Sequence, residues 1–229
     1  MQQQIDLTNI KVLTFDCYGT LIDWETGISE ALTQLLTKHK FTIDPKSLLQ
    51  MYATHELAER NKPYQSYRTL LRNVVNSIFS EFTLEASDDE QDFLPDSIKN
   101  WPPFGDTVKS LNFLHQKYQL GVISNIDNDL FEISHSKMPI PFSWIVTAEQ
   151  AKSYKPNLAP FTLALKKIPY PKENILHIAE SNYHDIAPAK HLGIKSVWVR
   201  RQEISNATLK SSINPDMEVS DLASLCNLL

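Results

Sequence analysis

The sequence predicts an α/β protein: a doubly wound parallel sheet with a helical cap inserted after the first strand. Three observations predict it. Five short runs, residues 10–15, 120–123, 144–146, 175–179 and 196–199, are apolar on both alternating faces, as strands covered on both sides must be. Amphipathic stretches lie between them, and alternation of the two kinds of element argues for a parallel sheet with helices on its faces. The first two runs, finally, are separated by a long block with helical rather than strand periodicity.

The first run, 10–15, is rich in β-branched and aromatic residues and too short for a helix. In the block that follows, Ile28, Ala31, Leu32, Leu35 and Leu36 form one apolar stripe, and Leu70, Leu71, Val74, Val75, Ile78 and Phe79, entered through Tyr67, form another. A single crossover helix needs far fewer residues, so the block reads as an insert. Ser87 and Glu90 have the spacing of a capping box at a helix start, and Trp101-Pro102-Pro103 closes the insert because two prolines end a helix. The chain thus divides into a core domain of residues 1–21 and 103–229 and a helical cap domain of residues 22–102. Within the core, residues 108–117 carry Val108, Leu111, Phe113 and Leu114 mainly on one side, and residues 158–167 carry Phe161, Leu163 and Leu165 around Ala164.

A chain of 229 residues is long enough to bury an α/β core and carry a smaller insert. Its net charge of −5 argues against a nucleic-acid partner, which favours a basic stripe. The polar start Met1-Gln2-Gln3-Gln4 lacks the charged-then-apolar layout of a secretion signal, and no apolar run approaches the roughly 18 residues that span a bilayer. Cys17 and Cys226 sit at opposite ends of the chain and read as reduced thiols. The expectation is a cytoplasmic protein with no membrane partner.

In open parallel sheets ligands bind beyond the carboxyl ends of the strands. Here the first strand runs into Asp16, the second into Ser124-Asn125 and the fourth into Glu180-Ser181-Asn182, while Lys155 follows the 144–146 run by a short loop. Four distant segments therefore deliver polar groups to one sheet edge. Cys17 is a poor candidate nucleophile, because a neighbouring carboxylate disfavours its thiolate and strand alternation turns it away from Asp16. His177 lies inside a strand, and His184 and His191 are seven residues apart, so no metal-ligand pair stands out. No nucleophile-elbow sequence surrounds Ser124.

Asp16-Cys17-Tyr18-Gly19-Thr20-Leu21, Ser124-Asn125, Lys155-Pro156 and Glu180 with Asp185 together resemble, in order, spacing and strand context, the four motifs of haloacid dehalogenase-like hydrolases. Tyr18 is similar to the 2-haloacid dehalogenase branch, where phosphatase relatives usually carry a second Asp. The chemistry is consistent with that difference: a phosphate ester releases an alkoxide that needs a proton, whereas halide leaves without a general acid. The resemblance implies a hydrolase in which Asp16 attacks the halogen-bearing carbon and forms an ester. It further implies that Lys155 keeps Asp16 ionised and that Asp185 anchors Lys155. Thr20 and Ser124 would hold carboxylate groups, Asn125 would border the departing halide, and Asn182 with Asp185 would position the hydrolytic water. Cys17, Tyr18, Gln50 and Phe161 are the implied substrate-binding positions. The implied partner is a small anionic substrate, the implied cofactor none, and a homodimer through the cap remains open.

Three positions depart from the dehalogenase pattern. The segment expected to carry an early cap arginine reads Leu48-Leu49-Gln50-Met51-Tyr52, leaving Arg60, Arg68 or Arg72 as substitutes; Gln50 offers hydrogen bonds without charge. Phe161 stands where relatives carry a tyrosine, and Glu180 where they tend to carry a serine. With Asp16, Asp185 and the carbonyl of Tyr18, Glu180 could complete a hard oxygen set for Mg²⁺, so the alternatives are a Mg²⁺-dependent phosphatase of a small phosphorylated metabolite and a non-catalytic ligand-binding relative.

Overall fold

A computed structural model of the chain describes residues 7–201 and 211–229; the polar Met1–Gln4 start lies outside the described residues. Six strands form one parallel sheet: β1 Val12–Phe15, β2 Gln119–Ser124, β3 Trp144–Thr147, β4 Ile175–Ala179, β5 Lys195–Val199 and β6 Met217–Val219, in the order β3-β2-β1-β4-β5-β6. All four residues of β1 and all five of β4 are buried, which explains why their sequences are apolar on both faces. Asp16 continues the β1–β4 pairing by donating its N–H to Ile178 O at 3.0 Å. The order reverses at this β1–β4 pair, the topological switch point where a crevice opens in such sheets.

The block between β1 and β2 is helical: α1 Trp24–Lys38, α2 Pro45–Arg60, α3 Tyr67–Glu81 and α4 Asp88–Asp96, followed by a 3₁₀ turn at Ser97–Asn100. The two stripes read from the sequence are the buried faces of α1 and α3. Glu90 Oε2 accepts the Ser87 N–H at 2.9 Å, half of the capping box at the start of α4. α1 passes close to Trp101: a Cβ at Gly27 would meet the Trp101 ring at 2.2 Å, so only glycine fits. Trp101 is buried, and its indole N–H donates to Ser97 Oγ at 2.9 Å.

Two contacts tie the helical block to the sheet. Asp127, just beyond β2, accepts the N–H groups of Tyr67 and Arg68 through its two oxygens at 2.9 Å each; these are orphan donors of the first turn of α3. Lys137, at the end of α6 Asn128–His135, donates to Ile98 O at 2.8 Å and Trp101 O at 2.6 Å. The remaining helices, α5 Thr107–His115, α7 Ala148–Ala151, α8 Ala159–Lys167, α9 Ala187–His191 and α10 Leu222–Cys226, complete the element order. No helix among the described residues is long and apolar enough to cross a membrane, and Cys17 and Cys226 are free thiols.

Candidate active site

The turn after β1 builds the site. Gly19 has φ +96°, and a Cβ there would lie 3.2 Å from both Glu180 Oε2 and Trp24 Nε1, so glycine is required by conformation and by space alike. The N–H groups of Leu21 and Ile22 donate to Cys17 O at 2.7 and 2.9 Å, folding the chain back immediately after Asp16. Arg201, from beyond β5, fixes the outside of the turn by donating to Thr20 O at 2.9 Å while pairing with Asp106 at the same distance.

This turn leaves Asp16 buried between two donors: Lys155 Nζ at 2.8 Å from Oδ1 and Thr20 Oγ1 at 2.9 Å from Oδ2. Thr20 is itself oriented by accepting the Glu180 N–H at 2.9 Å. Lys155 is fully engaged. Its ammonium donates to Asp16, to Asp185 Oδ1 at 2.6 Å and to Ile123 O at 2.7 Å. Asn125 holds the loop that carries it, accepting the Lys155 N–H at 2.7 Å and donating to Lys155 O at 3.1 Å. Behind Asp185 stands His177, central in β4, with Nε2 at 3.0 Å from Asp185 Oδ1 and Nδ1 at 3.0 Å from Thr14 Oγ1. A polar chain thus runs Thr14–His177–Asp185–Lys155–Asp16 through an otherwise apolar sheet, with Asp185 Oδ2 left buried and without a hydrogen-bond partner.

The charges follow from this packing. Burial pushes the Asp16 carboxyl up from the ordinary carboxylate value, against the pull of Lys155. Burial also works against the charge on Lys155, but Asp16 and Asp185 more than offset it and hold the ammonium above its usual value. Asp185 overcomes its own burial through Lys155 and His177 and stays below the carboxylate range. Burial pushes the Cys17 thiol well up, with the Asp16 carboxylate adding to it, which leaves the sulfur an unreactive core group.

A cleft of about 360 Å³, part of it open to solvent, lies over Asp16, lined by Tyr18, Arg60, Tyr67, Asn125, Lys155 and His184 with Ser181 and Asp185. Arg60 ends α2 and reaches the cavity from the helical block. Burial alone would lower its pKa, but Glu56, its ion-pair partner one turn earlier, holds it above the usual value. Its Nη1 is buried without a hydrogen-bond partner, as is Ser124 Oγ, and a buried donor left unpaired is costly unless a ligand satisfies it. His184 faces the same space as a neutral imidazole: burial, reinforced by Arg60, pulls it down to about 3. Tyr18 Oη is 2.8 Å from Ser134 Oγ, and burial raises its pKa well above the usual phenol value.

Several sequence expectations need correction. Gln50 is exposed on α2 and lines no part of the cavity; the positive group comes instead from Arg60, ten residues further along the same helix. Arg68 pairs with Asp96 and Asp129, and Arg72 with Asp92 and Asp88, so neither reaches the site. Cys17 and Phe161 are fully buried core residues, the Phe161 ring packing edge-on against His177 at 5.0 Å. Asn182 donates to Ile213 O at 3.1 Å, and neither it nor Ser124 lines the cavity. Tyr67 and His184 were not among the expected site residues, and Ser181 was expected only as a polar group at the end of the fourth strand. Ser181 and His184 had a legible signal, because residues three apart share a helix face and the chain turns helically at Asn182–Ile186.

The Mg²⁺ set of Asp16, Tyr18 carbonyl, Glu180 and Asp185 is partly occupied in this arrangement: Lys155 pairs with Asp16 Oδ1 and Asp185 Oδ1, while Asp185 Oδ2 is buried without a hydrogen-bond partner. Among the described residues no three His, Cys, Asp or Glu side chains converge on an ion-sized space.

Comparison with known proteins agrees with this geometry. An (S)-2-haloacid dehalogenase of Pseudomonas fluorescens is 25% identical over 226 residues, covering 97% of this chain and 98% of that protein. A solved L-2-haloacid dehalogenase from Xanthobacter autotrophicus, with chloropropionic acid covalently bound, superposes with a TM-score of 0.81 at 16% identity, covering 96% of this chain and 98% of that one. A HAD-hydrolase from Bacillus subtilis bound to magnesium superposes with a TM-score of 0.79 at 18% identity and the same coverage. At those identities the structural likeness speaks for the fold alone. The family model for haloacid dehalogenase-like hydrolases matches residues 13–199, and with Asp16, Lys155 and Asp185 gathered at the switch point of such a sheet, the chain belongs to that family.

Proposed function

We propose that this protein hydrolyses the carbon–halogen bond of small 2-haloacids, with Asp16 as covalent nucleophile and without a metal. The observation that carries the reading is the buried Asp16–Lys155–Asp185 cluster, which lines one cavity together with Arg60. Arg60 binds the substrate carboxylate through charge-assisted hydrogen bonds. A carboxylate oxygen of Asp16 attacks C2 from the side opposite the halogen; the new C–O bond forms as the C–halogen bond breaks, and halide leaves with its electron pair. Lys155 and Thr20 hold Asp16 in the attacking orientation. Water then attacks Cγ of Asp16 in the ester, the bond from Cγ to the bridging oxygen breaks, one proton of that water completes the 2-hydroxy acid, and the other leaves to solvent as the Asp16 carboxylate is restored. Asp185, held by His177, is the nearby carboxylate that orients this water. Tyr18 suits a reaction whose leaving group needs no proton, because its hydroxyl is engaged by Ser134 and stays protonated.

In the same proposal residues 1–21 and 103–229 act as the core domain and residues 22–102 as the cap domain that supplies Arg60. The test is a panel of 2-haloacids and phosphate monoesters, assayed for released halide and phosphate before and after chelation. Halide release that survives EDTA supports the reading. Phosphate release that is lost on EDTA treatment and recovered with Mg²⁺ would overturn it in favour of the phosphatase, and no turnover of either class would point to a ligand-binding protein.

A further inference from the structure

The cavity over Asp16 is the inner end of a larger space. A second cleft of about 750 Å³, part of it open to solvent, shares Tyr18, Arg60, Tyr67, Ser181 and His184 with the inner cavity and extends outward between α2 and the turn after β1. Its added walls include Trp24, Tyr52, Ala53 and Leu57. From the continuity of these two spaces and the aromatic lining of the outer one, we infer that the acid this protein acts on carries a bulky uncharged arm, aromatic or long-chain apolar, on the carbon that bears the leaving group. The choice of reacting group rests on the dehalogenase reading; the arm site does not.

The outer walls are preset rather than adaptable. The Trp24 and Tyr52 rings pack at 5.7 Å, and Tyr18 meets Trp101 edge-on at the same centroid distance. The hydroxyls that would make these rings polar are already used, Tyr52 Oη with Tyr67 Oη at 2.9 Å and Tyr18 Oη with Ser134. Trp24, Tyr52, Ala53 and Leu57 therefore give the cleft a mainly apolar wall beside its polar residues, which favours apolar contact. Leu57 stands at the mouth, 37% exposed. Charge selects further. Glu180 and the Glu56–Arg60 ion pair line the outer cleft, so a second anionic group on the arm finds no attraction there, while the acid end is drawn inward to the unpartnered Nη1 of Arg60. A two- or three-carbon acid would occupy the inner cavity and leave these rings without a partner.

The experiment compares 3-phenylpropionate with propionate by isothermal titration, neither of which can react. 3-Phenylpropionate should bind at least about tenfold more tightly, since burial of a ring supplies that much affinity. Ala53→Trp, which fills the outer cleft, should remove most of the difference; if that variant fails to fold, Leu57→Glu at the exposed mouth should weaken phenylpropionate selectively. Equal affinity for the two acids overturns the inference, as does a preference that survives both substitutions. Turnover separates this result from the functional reading. 2-Chloro-3-phenylpropionate should release chloride with a higher kcat/KM than 2-chloropropionate, and the reverse order overturns the inference. Tight phenylpropionate binding with no halide released from either acid keeps the arm site and sinks the dehalogenase reading.

Discussion

Replacing Lys155 with methionine keeps the side-chain length and removes the ammonium. That ammonium is 2.8 Å from Asp16, 2.6 Å from Asp185 and 2.7 Å from Ile123 O, and its side chain is 1% exposed. Its loss leaves two buried carboxylates facing each other with no cation between them. Removing one partner of such a buried pair costs about 3–5 kcal/mol. For a chain of this size each kcal/mol moves Tm by roughly 2–4 °C, so K155M should melt roughly 6–20 °C below the wild type at neutral pH. The loss should also depend on pH. Asp16 already sits above its ordinary value through burial, with Lys155 opposing and Asp185 adding to the rise; without Lys155 burial and Asp185 push it higher, opposed only by the Thr20 hydrogen bond. A carboxyl whose folded-state pKa is raised favours folding at low pH and loses that contribution as pH rises through the folded value. The deficit of K155M should therefore grow as pH rises through the raised range of Asp16 and shrink below it. K155M/D185N, which removes the second charge, should recover part of the loss. Thermal denaturation across pH 4–8 reads all three. A deficit under about 1 kcal/mol, flat with pH, is what an exposed lysine would give and would refute the account of the cluster.

Other outcomes follow from the same geometry. The acidic limb of kcat/KM should fall at a pH above the ordinary aspartate value of 3.8, because Asp16 must be ionised to attack and burial raises it; a limb below that value would contradict the buried nucleophile. Arg60→Met should raise KM for a haloacid roughly ten- to a hundred-fold, the size of a lost charged hydrogen bond, whereas Gln50→Ala on the exposed face of α2 should leave it unchanged. Equal effects of the two substitutions would return the anion contact to the position expected from sequence. His177→Phe keeps a ring in the sheet but removes a partner of Asp185 and should destabilise by about 1–3 kcal/mol; chemical denaturation with no shift in midpoint would mean that the Thr14–His177–Asp185 link contributes nothing.

The parts of this molecule legible in its sequence are those set by local rules. β1 and β4 could be read because burial on both faces forces continuous apolar residues, and α1 and α3 because each buries one clean stripe. β6 escaped, since Met217–Val219 is a three-residue edge strand with Glu218 at its centre and carries no apolar run. α2 escaped for a different reason: it buries only Leu48, Leu49, Tyr52 and Glu59 along sixteen residues, too few to mark a stripe. At the site, Asp16 and Lys155 were legible because each follows a strand of the same sheet edge. Arg60 could be named only as one of three candidate arginines, because a long side chain at a helix end can reach a site far from its own Cα, and the reach of α2 over Asp16 is set by contacts such as Asp127 with the start of α3. Cys17, Gln50 and Phe161 were misassigned to the pocket by linear proximity or by position within a motif, neither of which fixes where a side chain lies.

The central claim is that Asp16 forms the bond to carbon. The direct measurement is a single turnover with enzyme in excess over a 2-haloacid in oxygen-18-labelled water, followed by mass spectrometry of the Asp16 peptide and of the product. Attack by Asp16 places the first product oxygen from the carboxylate, and solvent oxygen enters the enzyme when the ester is hydrolysed at Cγ. The account predicts label in the Asp16 peptide and an unlabelled hydroxy acid. Labelled hydroxy acid with an unlabelled Asp16 peptide would mean that water attacks the substrate directly, and would contradict it.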